Sequence, residues 1–314
     1  MSLAVIVPFR DQPEQNRGLQ LARFAEELPR FLRSAAVAPP LAAFHVIVVE
    51  QSADGYKFNR GKLLNAGFLA AVASSGERAA RFGLPPQPAA FDAFCFHDVD
   101  LLPGPPLGPW YARRPAPRPL HIGAAWTRYP SAAYVGGILT LSARDFRAAN
   151  GFPNDFWGWG GEDDEMRARL GDVGLLPVER PAATAGAIVD LEEALIRERG
   201  GERAGTSLAD GGRSEWRNMW KRENLARHAA TWRANGVANA DFEVLGSRRL
   251  SDDVTVVTVN LRAADDPQAQ RQVKTEPIFE PGRDAAHRSK GGGGAGGGGG
   301  AGGGGGGGGA GGRA

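Results

Sequence analysis

Leu3 to Val7 is a continuous apolar run ending in Pro8-Phe9-Arg10-Asp11, and Phe44 to Glu50 (FHVIVVE) and Phe91 to Phe96 are two more of the same kind. Short unbroken apolar runs predict parallel strands buried on both faces, which deliver polar residues from their C-terminal ends. Between the first two, Leu21, Phe24, Leu28 and Phe31 recur at helical spacing, so Glu14 to Ser34 reads as an amphipathic helix bent near Pro29. After the second, a helical pattern through Leu63, Leu64, Gly67 and Phe68 starts just past Lys57-Phe58-Asn59-Arg60. This alternation of strand and helix predicts an α/β fold with a mainly parallel central sheet, which binds ligands at the C-terminal ends of its strands.

Further along, a proline-rich loop runs from Pro103 to Pro119, Tyr134 to Leu139 begins another strand, and Ala143 to Asn150 reads as a short helix. Met166 and Leu170 continue a helix, and Asp190-Leu191-Glu192-Glu193 lies within an acid-rich helical pattern. Ser214 to Ala234 reads as one more helix, with Trp216, Met219, Trp220 and Trp232 at packing spacings. Asp241 to Leu250 and Val254 to Leu261 form a closing pair of strands. From Gly291 to Gly312 the chain is only Gly and Ala, and with no side chains to bury it cannot offset its ordering entropy. Residues 1–283 are therefore expected to form one catalytic-sized domain and 284–314 a disordered tail.

A formal net charge of +2 on 314 residues, with acids and bases balanced, argues against nucleic acid as a partner. Cys95 is the sole cysteine, so the fold stands on packing without an internal disulfide. No apolar run approaches the length of a membrane helix, so no membrane segment is expected in this chain.

Three stretches change the picture from fold to chemistry. Phe156 to Glu165 reads FWGWGGEDDE, indole walls and backbone freedom followed at once by four carboxylates, which suits the acceptor side of a sugar site. The same stretch also reads as a Trp-anchored loop leading into a helix whose first turn carries acids. His97-Asp98-Val99-Asp100 ends the third strand, where an Asp-x-Asp pair can hold a divalent cation against a nucleotide diphosphate, or merely bond nearby amides in a turn. Arg60 follows a strand and opens a helix, a place for an anion, although taken alone Arg60 and Lys62 read as solvated surface charges, the usual fate of such residues. Gly136 and Gly137 mark a close approach of ligand or backbone, with Tyr134 as a wall beside them.

Six ordered segments carry a resemblance: VIVPFRD at Val5 to Asp11, VVEQ at Val48 to Gln51, FNRGKLLNAGF at Phe58 to Phe68, FHDVDLLP at Phe96 to Pro103, YVGGI at Tyr134 to Ile138, and NGFPNDFWGWGGEDDE at Asn150 to Glu165. Together they resemble the β-1,4-galactosyltransferase family (glycosyltransferase family 7), inverting and metal-dependent enzymes. FHVIVVEQ, HDVDLLP and YVGGIL are similar to the branch that adds galactose to xylose on proteoglycan linker saccharides. The resemblance implies a Rossmann-like GT-A fold, UDP-galactose as donor, a glycan or glycoprotein acceptor, Mn²⁺ as cofactor and a Golgi lumen setting. It implies that Pro8, Phe9, Arg10, Phe58, Asn59 and Arg60 contact the nucleotide sugar, with Asp98 and Val99 at its ribose and uracil side. Trp159, Gly160, Gly161, Glu162 and Asp163 would hold donor galactose and acceptor, with Asp163 as general base, Glu162 and Asp164 orienting hydroxyls, and Glu165 simply part of the first helical turn. Tyr134 matches the position that leaves no room for an N-acetyl group on the donor sugar.

The metal site departs from the family. Asp100 is the implied ligand, but the family's histidine soon after the acidic loop is missing; His228 and His287 do not match its pattern. Asp190, Glu192 and Glu193 fall near the expected place, and a carboxylate is a hard ligand for Mn²⁺, so Glu192 is assigned as the second ligand. Two other readings stand beside this one: a sugar-binding relative with weak or no catalysis, and a glycosidase using paired carboxylates.

Overall fold

A computed structural model describes residues 1–12, 15–73, 77–85, 90–128, 131–182, 186–198 and 217–271. The chain divides into a compact unit, Met1–Thr275, and a second, Glu276–Ala314, which lies outside the described residues together with the expected tail, Ser214, Trp216 and His287.

Nine strands are present among the described residues: β1 (Ser2–Phe9), β2 (Ala43–Gln51), β3 (Ala93–His97), β4 (Leu101–Pro103), β5 (Leu120–His121), β6 (Ile138–Leu141), β7 (Ile188–Asp190), β8 (Glu243–Ser251) and β9 (Val254–Asn260). The main sheet has the order β5-β6-β3-β1-β2-β9-β8, while β4 and β7 form a separate antiparallel pair. Strands β3, β1, β2 and β9 run parallel, and the antiparallel pairings of β6 and β8 flank them. The three apolar runs are β1, β2 and β3. Alternate residues of β1 point to opposite faces: Ala4 and Ile6 enter one apolar cluster with Leu64 and Phe68, whereas Leu3, Val5 and Val7 enter another with Leu21, Phe24 and Leu28. Two buried faces are why the run contains no polar residue.

The helices among the described residues include α1 (Arg17–Leu32), α2 (Arg60–Val72), α3 (Glu77–Phe82), α4 (Gly108–Tyr111), α5 (Ala143–Ala148), α6 (Glu162–Asp172) and α7 (Leu191–Glu198). Helix α1 supplies the second cluster through Leu21, Phe24, Leu28 and Leu32, and it contains Pro29. Asn59 caps α2, its side chain accepting from the Lys62 amide at 2.9 Å. No helix among the described residues is long and apolar enough to cross a membrane.

Four local expectations are corrected. The strand expected from Tyr134 begins only at Ile138, because Gly136 and Gly137 lie in the loop before it and Gly137 has φ +77°. Within the proline-rich loop, α4 forms at Gly108–Tyr111, with a proline in its first turn where the missing amide costs nothing. Among the described residues the Trp-rich helix resolves into two short pieces, Lys221–Ala226 and His228–Thr231; Trp232, just past them, is buried, while Met219 and Trp220 are exposed. Lys62 is no surface charge, being buried with its Nζ donating to the Leu261 carbonyl at 2.7 Å.

Glu165 also does more than decorate a first turn. It is buried and accepts from Arg169 Nε and from His228 Nδ1, both at 2.9 Å, while Arg169 Nη1 donates to the Asn150 and Gly151 carbonyls. This network fixes α6 against the segment that precedes it. Arg169→Met strands a buried carboxylate and two carbonyls, and is expected to cost about 3–5 kcal/mol in urea unfolding, with Glu165→Met added to it recovering part of the loss. A cost below about 1 kcal/mol would contradict the assigned role of this ion pair.

Candidate active site

In a sheet ordered β3-β1-β2, the chain leaves β1 toward β2 and later returns to the other side of β1 as β3. Adjacent strands whose connections depart in opposite directions open a crevice at their C-terminal ends. Arg10 follows β1, Asp98 to Asp100 follow β3, and Arg60 opens α2 after β2. All three segments line one cavity of about 540 Å³, and the fourth wall is the start of α6 with the loop before it.

Arg60 is the hinge pin of that cavity. Its Nε donates to Asp98 Oδ1 at 2.7 Å and its Nη1 to Asp163 Oδ1 at 2.9 Å, with Glu162 Oε1 3.7 Å away. One guanidinium thus joins the strand-end acid to the acids of α6. Burial pushes the Asp98 carboxyl up to about 6 against the pull of Arg60, with Asp100 and Asp163 adding. Burial likewise pushes Glu162 up to about 7, with Asp163 adding and Arg60 opposing.

Glu162 therefore binds a proton more tightly when folded than at its ordinary value of 4.5. Between that value and about 7 the folded state holds the extra proton, so stability falls as pH rises through this window and levels off above it. Glu162→Gln removes this contribution: its stability relative to the parent protein is expected to rise by about 1–3 kcal/mol from pH 4 to pH 8 in urea unfolding. Parallel curves for the two proteins would contradict the shift.

The acids of α6 are presented by the glycines around them. Gly161 is the cap residue of α6 with φ +105°, a conformation that other residues rarely adopt. Gly136 serves differently: a Cβ there would overlap both the Asp163 carboxylate and the Tyr134 hydroxyl. The two tryptophans of the loop also divide their work. Trp157 is buried and donates from Nε1 to Asp266 Oδ2 at 2.8 Å, whereas Trp159 is 63% exposed on the cavity lip. The backbone of Trp159 pairs with Arg217, and its carbonyl accepts from the Asn218 amide.

Pro8, Phe9, Arg10, Phe58, Arg60, Asp98, Val99, Asp100, Tyr134, Trp159, Gly160, Gly161, Glu162, Asp163 and Asp164 all line the cavity. Asn59, Gly136, Gly137 and Glu192 do not line it. Asn59 is fully buried, capping α2 and donating to the Asn154 carbonyl at 2.6 Å. Asp164 is largely exposed and pairs with Lys221 at 2.8 Å. Gln12, Gln15, Arg17, Trp126, Arg128 and Lys221 line the cavity and carried no signal in the sequence, because each lies outside the segments whose residue pattern pointed to chemistry.

A second acidic group adjoins the first. Pairing of β4 with β7 sets Leu101 opposite Asp190, and the Leu191 amide donates to the Asp100 carbonyl at 2.7 Å. Asp190 and Glu192 are thereby brought to the Asp100 side of the cavity. As placed, Asp100 pairs with Arg17 at 2.8 Å, and Arg128 Nη1 lies 3.3 Å from Asp190 and 3.1 Å from Glu192. Burial opposes the charge on Asp100, yet Arg17 holds its carboxyl below the ordinary value, with Arg128 adding. Burial pushes Asp190 up to about 6, with Asp100 adding. Among the described residues no three His, Cys, Asp or Glu side chains stand close enough together to hold an ion in this arrangement. The donor set itself, three carboxylates, is the hard-oxygen chemistry that Mn²⁺ or Mg²⁺ takes. His228, bonded to Glu165 and Asp172, belongs to the anchoring of α6.

Comparison with known proteins agrees with this architecture. Residues 1–105 match the family described as the N-terminal region of glycosyl transferase group 7, and residues 118–193 match that described as the N-terminal domain of galactosyltransferase. Human β-1,4-galactosyltransferase 4 is 29% identical over 245 residues, covering 77% of this chain and 59% of that protein. Human β-1,4-galactosyltransferase 7 is 35% identical over 192 residues, covering 59% of this chain and 48% of that protein. The chain thus spans about half the length of these relatives. The catalytic domain of Drosophila β-1,4-galactosyltransferase 7, solved with xylobiose, superposes with a TM-score of 0.59 at 26% identity, over 82% of this chain and 93% of that one. A mutant of the same Drosophila enzyme, solved with manganese, UDP-Gal and xylobiose, superposes with a TM-score of 0.56. The fold is that of the galactosyltransferase catalytic domains, α/β with a mostly parallel sheet. With two segments of one family matched in order across more than half its length, the chain belongs to the β-1,4-galactosyltransferase family, glycosyltransferase family 7.

Proposed function

We propose that this protein is an inverting glycosyltransferase that moves galactose from UDP-galactose to the 4-hydroxyl of an acceptor sugar, with Mn²⁺ as cofactor and Asp163 as general base. The observation that carries the proposal is the single cavity in which Arg60 links Asp163 to the strand-end acid Asp98, beside Asp100. A glycosidase has no use for the strand-end acids and arginines that face a diphosphate. The pairing of this cavity with a family whose Drosophila member was solved with UDP-Gal and xylobiose favours xylose as acceptor, ahead of N-acetylglucosamine. Residues 1–283 would form the catalytic domain, working in the Golgi lumen as the family resemblance implies.

Asp163 takes the proton of the acceptor hydroxyl as its oxygen attacks the anomeric carbon; the bond from that carbon to the diphosphate oxygen breaks, UDP leaves with the electron pair, and the configuration inverts. Asp100, with Asp190 and Glu192, would hold the metal ion, which supplies charge neutralisation to the departing diphosphate. Arg10 lies at the same wall, oriented by its bond to the Tyr56 carbonyl at 2.5 Å and by the Phe58 ring beneath it. Glu162 and Asp164 orient sugar hydroxyls. Trp159 offers an exposed ring for sugar packing. Tyr134, whose hydroxyl reaches the Asp163 carboxylate's surroundings, limits the room beside the donor sugar.

The test is transfer from radiolabelled UDP-galactose to xyloside and N-acetylglucosaminide acceptors, with and without Mn²⁺. Metal-dependent transfer to the xyloside is expected. UDP-galactose binding without turnover would favour the sugar-binding relative, and metal-independent hydrolysis of aryl galactosides would favour a glycosidase.

A further inference from the structure

Two arginines that no motif singles out sit among the carboxylates assigned to the metal. Arg17 opens α1 and reaches Asp100; Arg128 reaches both Asp190 and Glu192. Both guanidiniums line the donor cavity. Neither is a loose surface side chain. Arg17 also donates to Gln20 at 2.7 Å and Gln15 at 3.2 Å, while Arg128 lies over the Trp126 ring at 5.5 Å.

Charge counting shows what the pair accomplishes. Three neighbouring carboxylates, all at most 13% exposed, would repel one another strongly without a counter-charge. Two guanidiniums carry the same +2 as a divalent cation. We propose that Arg17 and Arg128 are built-in counter-cations that compete with the metal for Asp100 and for the Asp190–Glu192 pair, and that turn to the donor diphosphate once displaced. This rests on the glycosyltransferase reading above. Gln15 and Gln20 keep acceptors for Arg17 at the cavity wall while Asp100 changes partner, and a diphosphate supplies charged acceptors for both arginines. Metal alone must break two sets of ion pairs; metal with a nucleoside diphosphate regains them. The two ligands therefore bind with positive coupling, each strengthening the other by the same factor.

The experiment measures Mn²⁺ binding by the loss of its free-ion electron paramagnetic resonance signal in chelator-stripped protein, without nucleotide and with saturating UDP, and UDP binding by calorimetry. Arg17→Gln and Arg128→Gln are each expected to bind Mn²⁺ about tenfold more tightly than the parent without nucleotide, since one charge-assisted pair no longer has to be broken. The coupling between Mn²⁺ and UDP is expected to shrink by a similar factor. Arg17→Lys and Arg128→Lys keep the charge, should fall between, and carry the test if a glutamine variant does not fold. Unchanged or weaker Mn²⁺ binding in the variants, with UDP binding intact in the parent, would overturn the exchange and make the arginines braces of the carboxylates. If the parent binds neither Mn²⁺ nor UDP, the glycosyltransferase reading fails and the exchange with it. If the parent binds both and transfers galactose while the variants show no tighter metal, the exchange alone falls.

Discussion

Asp163→Asn is expected to lower kcat for galactose transfer by about 10²- to 10⁴-fold, the range a positioned general base contributes, while UDP-galactose binds nearly as before. The substitution is chosen for what it preserves. Asparagine keeps an oxygen for Arg60 Nη1, which lies 2.9 Å from Asp163 Oδ1, and keeps the planar volume that Gly136 accommodates. What it loses is the capacity to take a proton. The neighbouring acids give the comparison: Asp164 is 57% exposed with its charge met by Lys221, so Asp164→Asn should change transfer by only about threefold. Equal losses in the two variants would mean that the negative charge of the α6 terminus acts as a whole, and the assignment of a single base would fall. Asp163→Asn retaining more than about a tenth of the parent rate would remove it as base outright.

By residue type alone EDDE is four equivalent carboxylates, and the sequence separated Asp163 from Asp164 only through the family resemblance. What separates them is helical geometry. Once α6 starts at Glu162, residues 162 and 165 face inward, one toward Arg60 and the other onto Arg169, while Asp164 turns to solvent. The sheet was legible because burial on both faces leaves a plain trace, an unbroken apolar run, in β1, β2 and β3. Strand-end residues were legible for the same reason, since Arg10 and Asp98 follow such runs directly. Gly136 shows a partial reading: a close approach was expected, and the groups that approach it within the chain are the Asp163 carboxylate and the Tyr134 hydroxyl. Asn59 shows the converse, a residue inside a site-like motif whose side chain serves the cap of α2. Arg17 and Arg128 left no trace because their importance arises only when α1 and the segment after β5 converge on the pairing of β4 with β7. Contacts between residues 83 and 64 positions apart have no local pattern.

That pairing leads to the second large effect. Asp100→Asn is expected to reduce Mn²⁺-dependent transfer by about 10²- to 10⁴-fold, because the charge building on the departing diphosphate loses several kcal/mol of stabilisation at tenfold per 1.36 kcal/mol. Stripping the ion from the parent with a chelator should produce a loss of the same order, restored by added Mn²⁺, whereas the variant should regain only part of its rate at high Mn²⁺. Asp190→Asn and Glu192→Gln place the remaining ligands. Both side chains are buried and share Arg128, so loss of either charge leaves that guanidinium to the other. A ligand loses Mn²⁺ affinity in the free-ion signal as well as rate. A residue that only positions Arg128 loses rate at unchanged metal affinity. Glu192 as ligand requires the first pattern in Glu192→Gln; if Asp190→Asn shows it and Glu192→Gln does not, the second ligand is Asp190, which the β4–β7 register sets opposite Leu101. Should both keep full metal dependence, the carboxylates do not replace the family's histidine at all, and the ion would be held by Asp100 and the donor diphosphate alone.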